Sequence, residues 1–297
     1  MSQKKEVLEE IEALDNIKNM AENYEEIAAT RMQRIKNSVL QTRGYLTELS
    51  EVYVDLKSSY QREVKDLLIK RGKNDESLPP ILQKNGKLLM VYMSSNGRLY
   101  GTVTKKTYNL FIEELKTKEK DKTDLLLIGS AGKDMYENSN IDIPFEYIDI
   151  PDDNLSVEDI KKLMKKFLRY NRVAIYHGTF INVVKQRAIS SSITGDEIFE
   201  TDVPSFVPEE NIYIYEPAFE KVFHFFETQI MSSLFRQTFS ENQLARQASR
   251  VNAMEEALIH IEEETEKLNH EKIRIRHLLE NKKQLERLSG FTLWDIE

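Results

Sequence analysis

The sequence predicts an α/β protein: a long antiparallel two-helix coiled coil built from the N- and C-terminal arms, with a central Rossmann-like α/β domain between them. Three observations carry that expectation: the positions of the helix breakers, a three-four apolar repeat near the C-terminus, and an alternation of strand-like and helix-like segments in the middle. All seven Pro of the 297 residues lie between Pro79 and Pro217, and Gly44 is the only Gly before Gly72. From Ala218 through Ser289 neither residue occurs. Pro lacks the N–H that a helix interior needs, and Gly adds backbone freedom. Their placement therefore divides the chain into an N-terminal helix over 1–72, a mixed domain over 73–216 and a C-terminal helix over 217–297 that pairs with the first.

In the first arm, Val7, Ile11, Leu14, Ile17, Tyr24 and Ile27 recur at helical spacing, and Leu46, Leu49, Tyr53, Leu56, Tyr60 and Leu67 do so again. In the last arm, Val251, Met254, Leu258, Ile261, Thr265, Leu268, Lys272, Ile275 and Leu279 follow alternating steps of three and four. That is the seam of a coiled coil, with Thr265 a weak member and Lys272 a misfit. At 1.5 Å per residue each arm is on the order of 100 Å long, more than one globular core covers. The simplest way to bury both stripes is arm against arm; pairing with other chains is the alternative. Between the arms, Lys87–Met93, Asp124–Ile128, Phe145–Ile150 and Arg172–Tyr176 read as short buried strands. Helical patterns cover Thr104–Lys116 and Ser156–Tyr170, and the alternation implies a parallel sheet. Ile212–Tyr215 reads as a further strand before Pro217 opens the last helix.

Composition bounds the function. With 31% charged and 40% hydrophobic residues the chain is too apolar for disorder. A net charge of -8 and a pI near 5.4 argue against a nucleic-acid binder, which needs a basic face. Without Cys there is no disulfide, thiolate nucleophile or Cys-ligated metal. No apolar run reaches the ~18 residues of a membrane span, and the Glu-rich start is not a signal segment, so the cytoplasm is expected.

Two loops invite a phosphate-binding reading. Ser94 to Gly101 follows a strand and precedes a helix but lacks G-x-G-x-x-G, and Gly129 to Asp134 lacks the Walker spacing. Both are expected to be strand-to-helix turns. Of the five His, at 177, 224, 260, 270 and 277, none has a second His at metal-ligand spacing. His177, ending a strand beside Gly178, is the one placed where catalytic groups sit in α/β proteins. Glu255, Glu256 and Glu262 to Glu264 fall on the solvated faces of the coiled coil. The motifs give no cofactor, no metal and no catalytic group.

Particular residues add a resemblance that runs essentially end to end. Ile11, Asn16, Glu25 and Ile27 to Met32 are similar to the stretch I-x-S-V-x-N-T-x-K-I-T-x-A-M-E-M-V-A-A-S-K-M. Ser94 to Gly101 is similar to S-T-D-R-G-L-C-G-G-L-N, and Ile128 to Gly132 to I-G-x-K-G. Tyr176 to Ile181 with Ile189-Ser190 is similar to Y-N-K-F-I-N with I-S downstream, and Tyr215-Glu216-Pro217 matches Y-E-P. Glu241 through Met254 is similar to S-E-x-x-A-R-M-x-A-M. In order and spacing these pieces resemble the gamma subunit of F-type ATP synthases.

The resemblance implies the central rotor shaft, with catalysis belonging to the beta subunits of a surrounding alpha and beta ring. It also implies contacts with epsilon and the membrane rotor ring, membrane association only through the complex, and a place on the cytoplasmic face of the membrane. Arg31 and Arg34 match the basic pair that faces the acidic lever of beta. Arg250, with Met254 after it, matches the helix segment that engages the catalytic ring. Leu288, Phe291, Leu293 and Trp294 match the apolar tip that turns in the bearing of the head. The early arm departs from the pattern: Asn19 to Glu22 replace its basic stretch, and Glu6, Glu9, Glu10 and Glu12 precede them. A divergent lineage, the rotor of a paralogous hexameric ATPase and a coiled-coil scaffold all remain open at this point.

Overall fold

The structure, a computed structural model, describes residues 2–71, 85–139, 141, 143–194 and 219–292. Its elements are α1 (Ser2–Arg71), β1 (Leu88–Met93), α2 (Val103–Leu115), β2 (Thr123–Ile128), α3 (Ser130–Glu137) and β3 (Phe145–Ile148). They continue with α4 (Val157–Phe167), β4 (Arg172–Phe180), β5 (Gln186–Ser192) and α5 (Phe219–Thr292). The chain forms two compact units, one of Met1–Thr30 with Arg250–Glu297 and one of Arg31–Ser249.

The smaller unit is an antiparallel helix pair. On α5, Val251, Met254, Ile261, Leu268 and Ile275 are buried, and Leu258, Thr265, Lys272 and Leu279 are half-buried, so the whole expected seam points inward. Val7 clusters with Leu268 and Ile275, Lys18 meets Glu262, and Tyr24 meets Arg250. Partner numbers fall along α5 as they rise along α1, which fixes the direction.

The α1 seam differs from the expected one. It runs through Val7, Ile11, Leu14, Lys18, Ala21, Glu25 and Ala28, while Ile17, Tyr24 and Ile27 are 51%, 36% and 47% exposed. The larger apolar residues stand one column over. The column that packs uses small Ala21 and Ala28, and Lys18 reaches its partner Glu262 at 3.0 Å from the seam's edge. The stripe from Leu46 to Leu67 lies within α1, but its side chains are outside those described; the strand expected at Ile212–Tyr215, and Pro217, lie outside the described residues.

The larger unit is built on a five-stranded sheet of order β3-β2-β1-β4-β5. The first four strands are parallel, and β5 returns antiparallel on β4 with Ala188 opposite Gly178. This corrects the purely parallel expectation: β5 was not foreseen, while α3 follows Gly129 directly, as the expected strand-to-helix turn implies. Gln186–Ser192 offers only Ala188 and Ile189 as apolar residues, because β5 is an edge strand without two buried faces. The foreseen inner strands β1, β2 and β4 read as apolar runs because helices cover both sides, whereas β3 is the other edge strand and is only half-buried. Leu89, Val91, Leu126 and Ile128 pack on Ile160, Leu163 and Phe167 of α4 and Phe235 of α5. Met90, Tyr92, Leu125 and Leu127 pack on Phe111 and Tyr108 of α2 and Tyr136 of α3. Ser156 caps α4, its hydroxyl accepting from the Asp159 amide at 3.1 Å.

Candidate functional site

Within the larger unit, every residue of α5 from Glu241 to Ser249 is buried. A helix buried all round is normally apolar all round. Here Glu241, Asn242, Gln243, Arg246, Gln247 and Ser249 are polar, and burying such groups costs free energy unless each finds a partner. The leucine and alanine face packs on α1, where Leu244 and Ala248 meet Met32 and Val39. The polar face turns to the C-terminal ends of the strands.

Asn242 spans two of those ends. Its amide nitrogen donates to the Met93 carbonyl at 3.2 Å, and its carbonyl oxygen accepts from the Gly178 N–H at 3.0 Å. Met93 ends β1 and Gly178 lies in β4, the pair between which strand order reverses. Open α/β sheets bind ligands in the crevice at that switch point. In this chain the crevice holds the chain's own helix. The approach is close: a Cβ on Gly178 would lie 2.8 Å from Val103 and 3.2 Å from the Ala245 Cβ. Thr179 donates to the Glu241 carboxylate at 3.0 Å and extends the attachment by one residue.

The loop after β1 completes the site. The Asn96 and Gly97 amides donate to the two carboxylate oxygens of Asp152 at 2.9 and 2.7 Å, and the Tyr100 hydroxyl donates at 3.2 Å. Arg246 donates to the same carboxylate at 2.8 Å and to the Ser94 carbonyl at 3.0 Å, with its guanidinium 5.1 Å from the centre of the Tyr100 ring. Gln243 adds a bond to the Asp152 carbonyl at 2.6 Å. The side chains of Arg246 and Asp152 are 4% and 15% exposed. Burial alone would raise the Asp152 pKa. The Arg246 charge and the amide donors outweigh it and hold the carboxyl below its ordinary value.

The nest that a phosphate would need is therefore filled by a carboxylate. The other candidate loop is engaged too, since the Ser130 N–H donates to the Asn96 side chain at 2.7 Å and the Ala131 N–H to the Ser95 carbonyl at 2.9 Å. At Gly101, with φ +64°, a Cβ would collide with the Ser249 carbonyl, so α5 lies directly on the loop backbone. What this arrangement does is mechanical. Neither rotation nor sliding of α5 against the sheet leaves these bonds intact.

His177 is 3% exposed, with Nε2 2.9 Å from the Ser191 hydroxyl and Nδ1 3.0 Å from the Gly178 carbonyl, and burial lowers its pKa. It ties β4 to β5. Arg31 pairs with Asp153 at 2.8 Å, and Arg34 is exposed. Arg250 is 7% exposed with its guanidinium 5.6 Å from the Tyr24 ring centre, and Met254 is buried in the seam. Leu288 is 63% exposed. The Phe291 side chain, Leu293 and Trp294 lie outside the described residues. Sequence reasoning missed Asp152, Asn242 and Arg246. The available signal was a helical stretch, Glu241 to Ser249, that shows no seam and mixes small with polar residues.

A family profile described as ATP synthase matches residues 3–277. The gamma chain of Mycoplasmopsis pulmonis is 24% identical over 254 residues, 83% of this chain and 84% of that one. The chain belongs to the ATP synthase gamma-chain family. The gamma chain of Protochlamydia amoebophila is 21% identical over 98% of both chains. In fold, the chain is similar to one in the central stalk and c-ring structure of Tetrahymena thermophila mitochondrial ATP synthase. The TM-score is 0.52 at 17% identity, covering 80% of this chain and 99% of that one. A chain in an F1 and c-ring structure of the Euglena gracilis enzyme gives 0.50 at 14% identity, covering 89% and 94%. Gamma chains are the central-stalk rotor subunits of F-type ATP synthases. Among the described residues no helix is long and apolar enough to cross a membrane.

Proposed function

We propose that this chain works as a torque coupler with no catalytic site of its own. The carrying observation is the clamp at the strand ends: Asp152 and Arg246 fill an anion nest, and Asn242 fills the switch-point crevice. A groove that would serve catalysis in another α/β protein is given over to fixing a helix. Residues 73–216 act as the mounting domain, and 1–72 with 217–297 act as the shaft. The shaft turns inside a ring of alpha and catalytic beta subunits, and its asymmetry biases each beta in turn toward open, loose or tight nucleotide states. The mounting domain meets epsilon and the membrane rotor ring on the cytoplasmic face. On this reading Arg31 and Arg34 face the beta lever, Arg250 and Met254 hold the seam where the ring engages it, and Leu288, Phe291, Leu293 and Trp294 form the bearing tip.

The test is native mass spectrometry of the tagged chain purified from its host. Three alpha and three beta subunits with one copy of this chain support the reading, and recovery only as a homo-oligomer overturns it. The acidic start of α1, with Glu6, Glu9, Glu10 and Glu12, favours one second reading, the rotor of a paralogous hexameric ATPase. Ring and stator subunits in the same spectrum decide against it.

A further inference from the structure

In the larger unit, an open groove of about 970 Å³ lies between α1, α4 and α5. Ile160 and Met164, both buried, and half-buried Leu168 make its floor, while Tyr45 on α1 and Val157 on α4 stand 49% and 55% exposed at its walls. Lys161, Lys162 and Lys165 of α4 and Arg236 of α5 also line it, all exposed, and no carboxylate does so among the described residues. None of these four cations forms an ion pair or hydrogen bond among the described residues. Lys162 and Lys165 also border the adjoining groove that carries Glu146, Asp149 and Asp159, whereas Lys161 and Arg236 do not.

We propose that this groove takes an acidic amphipathic helix of another subunit. The inference rests on the reading of the chain as part of an assembly. Charge complementarity selects an acidic occupant, and the recessed apolar floor selects a helix over a bilayer surface, which would touch the lysines without reaching Ile160. Val157 to Leu168 spans about 16 Å of α4 axis, three turns, the length over which a docked helix presents anchors at i, i+3, i+4 and i+7. Lys161 and Lys165, one turn apart, flank the floor where such a helix would carry carboxylates.

Two measurements test it. A fluorescent fifteen-residue peptide, with leucine at the anchor positions and glutamate elsewhere, is titrated into the purified full chain. Saturable binding is expected, weakened at least tenfold by the triple change Lys161→Glu, Lys165→Glu and Arg236→Glu, by Val157→Asp, and by high salt. Absence of binding, equal binding of a lysine-for-glutamate peptide, or stronger binding to phosphatidylglycerol vesicles than to the peptide overturns the proposal. The second measurement puts a photo-crosslinking residue at position 157 of the chain in its purified complex. Crosslinks to an acidic helix of another subunit support the proposal. Crosslinks to a second copy overturn it, as do crosslinks to this chain's own residues 195–218, which carry seven carboxylates and no Lys or Arg. A chain that brings down no other subunit overturns the assembly reading instead, and the peptide titration then decides the groove alone.

Discussion

Asp152 carries more of the architecture than its sequence context suggests, because one carboxylate receives two amides, a phenol and a guanidinium. Removing its charge leaves Arg246 buried without a counter-ion. Asp152→Asn is expected to cost about 3 to 5 kcal/mol, read as a lower urea midpoint at unchanged slope. Arg246→Met in the same chain should recover part of that loss, since no buried charge then remains.

The two titrating groups of the site act in different pH windows. The Asp152 pKa is depressed, so its contribution is complete above the unfolded value of about 3.9 and is lost as pH falls through the lower native value. The His177 pKa is also depressed, by burial. Below about pH 6.5 the unfolded chain takes up a proton that native His177 refuses, so stability falls as the pH drops. His177→Asn should flatten the stability profile between about pH 6.5 and 5, and Asp152→Asn should flatten it only below about pH 4. Urea titrations at stepped pH check both.

At the scale of elements, the α1 seam gives the sharpest contrast. Ala28 is fully buried and Ile27 is 47% exposed, the reverse of what hydrophobicity suggests. Ala28→Leu is expected to destabilise by about 1 to 3 kcal/mol through overpacking. Ile27→Ala should stay within about 0.5 kcal/mol. Thermal melts of the two variants decide between the packed column and the apolar one.

The same contrast explains what the sequence made legible. Strands covered on both faces announce themselves, as Leu88–Met93 and Thr123–Ile128 do, because each of their residues must be apolar or well paired. The α5 seam was legible because Leu268 and Ile275 carry it with large side chains. The α1 seam was not, because its packing residues are alanines beside bulkier exposed neighbours. β5 escaped because an edge strand needs little apolar surface. The clamp was the least legible part: Asn96, Asp152 and Arg246 are ordinary polar residues until the fold brings together positions 94 apart in sequence.

At the scale of the whole molecule, the clamp and the shaft make one prediction together. If torque passes from sheet to α5 through Asp152 and Arg246, loosening that joint should spare nucleotide chemistry and impair its coupling. In the purified complex carrying Asp152→Asn, ATP hydrolysis should continue while proton pumping per ATP falls. Proton uptake into vesicles, measured beside phosphate release, checks the ratio. An unchanged ratio would mean that the load travels by another path.

The alanines at 21 and 28 also say how the helix pair of the smaller unit bends. The separation of two packed helices depends on the side chains between them, from about 8 to 10 Å. Two rods bonded side by side resist flexing in their common plane roughly as the square of that separation. The stretch around Ala21 and Ala28, where small residues allow the axes to draw together, is then about a third less stiff than a stretch spaced by leucines. Flexing of the helix pair in that plane should therefore concentrate around residues 21–28 before it spreads along the pair.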